Sequence, residues 1–209
     1  MTDMETMAAA VRLRGSGAAG DEPTLQRWGA LAAVAAPLVG VFSIAAGIPI
    51  LTADMSEVGG STRWLLATGA ALAVLILLAV ALVGLHRAQE PALSRFGHAS
   101  ALLALAGTML AAGGAWDTFV TVTYLADVAP AVLDRATDGA LLAGYIVSYL
   151  AFSIGWACFA VATLRARVLS RGPSIALLVG AVLAFVPAPT AMRTLVLSIA
   201  VALLATRRR

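Results

Sequence analysis

Apolar residues in this chain do not alternate with polar ones. They run on and are then punctuated. The runs cover Trp28 to Leu51, Trp64 to Leu85, His98 toward Asp127, Leu141 to Leu164, and the two shorter stretches Ser174 to Val186 and Thr190 to Thr206 on either side of Pro187-Ala188-Pro189. Four of them reach the ~20 apolar residues needed to cross ~30 Å of hydrocarbon. A spanning segment must satisfy its own backbone, which leaves helices or closed barrels. Long unbroken runs favour helices over the ~10-residue alternations of a barrel. The pattern therefore predicts an all-α, multi-pass transmembrane helix bundle of six helices, or four plus a C-terminal re-entrant hairpin. Residues 1–24 read as a disordered cytoplasmic tail, 25–206 as the transmembrane helical domain and 207–209 as a basic cytoplasmic end.

Composition strengthens this reading. The 209 residues are 61% hydrophobic and 12% charged, against about 45–50% and about 25% in soluble domains. Every positive side chain is an arginine, since the chain holds no Lys. The arginines cluster at the ends of apolar runs, where they set orientation, so the net charge of +3 is topological and implies no nucleic-acid partner. With the N-terminus in the cytoplasm and six crossings, Arg12, Arg14, Arg27, Arg87, Arg95, Arg165, Arg167, Arg171 and Arg207 to Arg209 lie inside. Only Arg63, Arg135 and Arg193 lie outside. The expected location is the cell membrane, with both termini cytoplasmic.

Several chemistries drop out. Without Lys there is no Schiff base and no phosphate-loop lysine. The single cysteine, Cys158, has no partner for an intrachain disulfide. Gly15, Gly17 and Gly20 spell GxGxxG but precede Asp21-Glu22-Pro23 instead of opening a helix after a strand, so they read as a linker. His86 and His98 fall on adjacent helix ends and read as interfacial histidines, not as haem or metal ligands. Ser148 and Ser153 lack an obvious base, and no paired-aspartate element is present. No cofactor or metal is expected, and an enzyme is the least favoured class.

The stretch Gly113 to Asp127 is the most polar part of any long apolar run. Asp117, Thr121 and Tyr124, at i, i+4 and i+7, share one face of an unbroken α-helix. Asp117 stands about 28 Å from His98, near the outer interface. With Arg135 from the following loop, these residues form the candidate outer polar site. Elsewhere, Tyr145, Tyr149, Phe152, Trp156 and Phe159 form one aromatic helix face, read first as bundle packing. Gly144 and Ser148 form a small-xxx-small pair suited to close helix approach, and Gly40 and Gly47, seven apart on nearly one face, read as close helix packing. Phe42-Ser43-Ile44 and Phe152-Ser153-Ile154 hint at an internal repeat.

The segments Gly155 to Arg171 (GWACFAVATLRARVLSR) and Thr123 to Asp134 (TYLADVAPAVLD) resemble uncharacterised actinobacterial-type six-helix integral membrane proteins, the DUF4386-like group. The resemblance covers mainly the second half of the chain. It implies fold class and location and imports no site residue. The expected function is a non-enzymatic membrane component whose partners are the lipid bilayer and a membrane protein or a second copy of the chain. The alternative is a small transporter or ligand-binding bundle with its polar site near Asp117.

Overall fold

A computed structural model of the protein describes residues 22–50, 53–133, 139–186 and 190–206. It is an all-α bundle, and no strand occurs among the described residues. Six helices carry the fold. They are α1 (Glu22–Gly47), α2 (Thr62–Gln89), α3 (Arg95–Asp117), α4 (Ala140–Ala166), α5 (Arg171–Leu183) and α6 (Thr190–Thr206). Four segments are long and apolar enough to cross a membrane: Thr24–Ile50, Thr62–Ala92, Arg95–Val128 and Leu142–Ala166. The helix α1 begins at Glu22, inside the span expected to be tail. Pro23 explains the early start, because a first-turn proline gives up an N–H that the helix does not need. The GxGxxG motif, Arg135 and the terminal arginines lie outside the described residues.

Local chemistry sets the helix ends. Ser61 and Ser94 cap α2 and α3 by accepting from Trp64 N at 3.2 Å and Gly97 N at 3.4 Å, which satisfies amides that have no partner within the helix. Arg167, at φ 56°, ends α4 in a left-handed turn. The run after Asp117 does not break into a loop. It passes through a π-helical turn, Thr118–Val122, and continues as helix over Thr123–Val128 and Pro130–Leu133. The sequence TFVTVT is rich in β-branched residues, which are crowded in an α-helix. Thr118 and Thr123 turn their hydroxyls onto the carbonyls of Gly114 and Phe119. Side-chain hydroxyls engaging the ladder in this way favour a local departure from α geometry.

The helices pack in chain order, each on the next, and α6 returns to α1 to close a ring while also touching α2. Phe152, Trp156 and Phe159 of α4 are fully buried and stack ring to ring. The aromatic face is therefore core packing, as its spacing implies. Trp156 also donates from Nε1 to Thr108 Oγ1 of α3 at 2.9 Å. The tightest contacts are backbone to backbone. A Cβ on Gly107 would stand 2.4 Å from Phe152 N, and one on Gly155 would stand 2.6 Å from the Ala104 Cα. Gly29 of α1 meets Gly84 of α2 equally closely. Close approach does not use Gly144 and Ser148. Nothing lies within 4 Å of a Cβ on Gly144, and Ser148 Oγ donates back to the Gly144 carbonyl. That pair faces outward, because α4 meets α3 through Gly155 and Phe152, on another face.

The two ends of the bundle differ in charge. Arg27, Arg87, Arg95, Arg165, Arg167 and Arg171 lie toward one end. There the His86 and His98 rings meet edge to face at 5.2 Å, and Arg165 stands 5.5 Å over the Phe96 ring. Arg63 and Arg193 belong to the other half.

Candidate functional site

The last two helices are short, 13 and 17 residues against 23 to 28 for the others. At ~1.5 Å per residue they measure about 20 and 25 Å. Helix α6 begins inside the bundle. Thr190, the first residue of α6, hydrogen-bonds the Tyr149 hydroxyl. Tyr149 sits more than two turns along α4 from its first residue, Ala140. The other helices continue past that level and leave a partly open cavity of about 360 Å³.

Four parts of the chain build its wall. The end of α1 and the segment after it supply Ser43, Ile44, Gly47, Ile48, Ile50 and Ala53. The first turns of α2 supply Trp64, Ala67, Thr68 and Ala71. Ala115 and Thr118 come from the end of α3 and its π turn, and Thr190, Ala191 and Met192 come from α6. Most of this wall is hydrocarbon. The hydroxyls on it are engaged. Ser43 donates to the Ala67 carbonyl at 2.7 Å, joining α1 to α2. Thr68 donates to Trp64 O at 2.7 Å and Thr118 to Gly114 O at 2.9 Å.

Behind the wall stand two tyrosines one turn apart on α4. Tyr145 shares its one hydroxyl proton between Thr118 Oγ1 and Gly114 O, the latter at 3.2 Å. Tyr149 bonds Thr190, and its ring carries the Arg193 guanidinium 4.4 Å above it. These threonine–tyrosine pairs tie the π turn and α6 to α4. Arg193 makes no ion pair among the described residues, and its Nε is buried without a partner.

The residues expected to form an outer polar site lie beside this cavity, not on it. Asp117 is half-buried and makes no hydrogen bond or ion pair with another described residue. Thr121 and Tyr124 are exposed, Tyr124 by 64%. The π turn explains the separation. Its i→i+5 step absorbs one extra residue, which rotates Tyr124 by about 100° relative to an unbroken helix. Arg135 lies outside the described residues. Of the two Phe-Ser-Ile triplets that hint at a repeat, both serines are buried, but Phe42 is exposed while Phe152 is fully buried. Gly40 and Gly47 do serve contacts, with Leu195 of α6 and Ala67 of α2.

Sequence reasoning passed over Ser43, Thr68, Thr118 and Thr190. Their signal was hydroxyl residues in runs otherwise almost wholly apolar, at the level where the last two segments fall short. Cys158 is a free, partly buried thiol. Among the described residues, no three of His, Cys, Asp or Glu converge in a way that could hold a metal ion. Compared with models of known families, with curated proteins and with solved structures, the chain matches none of them.

Proposed function

We propose that this protein is a non-enzymatic component of the cell membrane that holds a small ligand in the cavity above the α5–α6 hairpin. The observation that carries this reading is the cavity itself. At about 360 Å³ it falls within the ~300–1,000 Å³ range of ligand sites, and such sites commonly lie between the helices of bundles. Well-packed interiors leave few voids larger than a water molecule. A space of this size, walled mostly by apolar side chains and braced by two threonine–tyrosine pairs, is a feature of the architecture. Its wall brings no nucleophile together with a base, which argues for binding over catalysis.

The arginine distribution supports an orientation with the arginine-rich end and both termini in the cytoplasm. The cavity then opens in the outer half of the membrane. Kinship with the DUF4386-like group belongs to the same proposal and bears only on fold and location.

Two experiments test this reading. In a Cys158→Ser background, a membrane-impermeant maleimide added to intact cells should label Asp54→Cys and leave Ser94→Cys unlabelled. The reverse pattern refutes the orientation. Native mass spectrometry of the full chain, extracted in mild detergent, should show a bound small molecule that Ala71→Leu releases with the fold intact. If wild type and Ala71→Leu carry identical adducts, the cavity is not the binding site.

A further inference from the structure

The wall of the cavity also narrows the chemistry of its occupant, a step that rests on the cavity being a binding site. Among the described residues, no charged side chain lines it. Asp54, Arg63, Asp117 and Arg193 are each next in sequence to a wall residue, and none of the four is on the wall. The Arg193 guanidinium is instead stacked on Tyr149. Most hydroxyl donors are spent too, the Thr190–Tyr149 pair keeping one proton beyond the one it shares. The hydroxyls of Ser43, Thr68 and Thr118 go to backbone carbonyls, and Thr190 is shared with the Tyr149 hydroxyl. The Trp64 Nε1–H has no acceptor but is itself buried, so an occupant reaches it only if the indole turns.

A charged solute entering this space would shed its hydration and gain no partner, which is strongly unfavourable. A sugar or another polyhydroxyl solute would leave most of its acceptors without a donor. A hydrocarbon chain loses no hydrogen bond on entry and meets Ile44, Ile48, Ala71 and Met192. We infer that the occupant is an uncharged hydrocarbon chain, such as the acyl or isoprenoid tail of a lipid. The volume accommodates roughly a dozen groups of about 30 Å³ each, so a chain of about ten carbons fits.

Trp64 is a reporter built into the wall. The full chain in detergent micelles is titrated with 1-bromodecane, with acrylamide and with iodide, all quenchers of indole emission. The contribution of Trp64 is the difference between wild type and Trp64→Phe. We expect 1-bromodecane to quench that contribution saturably, n-decane to reverse the effect, and acrylamide and iodide to give no saturable component. Filling the space with Ala71→Leu should weaken the saturable quenching roughly tenfold, in line with the cost of overpacking a close-fitting site. Ala115→Leu, at the opposite wall, provides the same test if Ala71→Leu does not fold. Saturable quenching by acrylamide or iodide but not by 1-bromodecane would mean a polar occupant. That result overturns this inference and leaves the proposed binding role standing. No saturable quenching by any of the three would remove both.

Discussion

Replacing Gly107 by alanine is the sharpest test of how this bundle is held. The new methyl carbon would stand 2.4 Å from Phe152 N and 2.5 Å from both the carbonyl carbon and the oxygen of Ala151, whereas ordinary contact begins at 3.4 Å. The obstacle is backbone, which cannot swing aside, so α3 and α4 must part by about 1 Å. A gap of that size forfeits roughly a quarter to a half of the dispersion energy of the atoms it separates. Overpacking of a tight site costs about 1–3 kcal/mol. The crossing also carries the Trp156 Nε1 to Thr108 Oγ1 bond at 2.9 Å. One further ångström breaks it, at about 0.6 kcal/mol for an average hydrogen bond inside a membrane bundle. Against these stands the better helix propensity of alanine, about 1 kcal/mol. The net expectation is a loss of about 0.6–2.6 kcal/mol. The assay is unfolding of the purified full chain by SDS titration from mild-detergent micelles, followed by far-ultraviolet circular dichroism. Gly144→Ala is the matched control, because nothing lies within 4 Å of a Cβ there, and it should be neutral or slightly stabilising. If Gly107→Ala and Gly144→Ala unfold within about 0.5 kcal/mol of each other, the backbone-to-backbone crossing does not hold the fold and the reasoning fails.

Other outcomes follow from single contacts. Thr108→Val leaves the Trp156 N–H buried and unpaired and should cost about 1–3 kcal/mol. Combined with Trp156→Phe it should show a coupling of about 0.6–1.7 kcal/mol in a double-mutant cycle, and strict additivity would remove the bond from the account. Arg193→Gln gives up the contact with the Tyr149 ring and should cost about 0.5–2 kcal/mol in the same unfolding assay. It should cost nothing further in a Tyr149→Leu background, and an equal loss there would mean that the arginine acts through some other group. Asp117→Asn removes a charge that no described residue pairs with, so stability should stay within about 0.5 kcal/mol. A drop above about 1.5 kcal/mol would reveal a partner for that carboxylate.

The sequence by itself determined the class of fold and most of its outline. Unbroken apolar runs fix helices because a chain in hydrocarbon must satisfy every backbone group within itself. Proline, glycine and arginine mark the ends because each acts through local geometry or local charge. The aromatic spacing on α4 was readable for the same reason, since a helix converts a three–four repeat into one face. Tertiary structure decided the rest. Gly144 and Gly107 look alike as letters, but only Gly107 faces a neighbouring backbone, and that depends on which sides of α3 and α4 meet. Asp117 was the most conspicuous polar residue in any apolar run, yet Thr118, one residue on, takes the cavity wall, and the π turn that begins there carries Tyr124 elsewhere. The cavity has no signature in any one segment. It exists because α6 begins level with Tyr149 while α1, α2 and α3 run on past it, and relative depth among helices is a property of their packing, not of their residues.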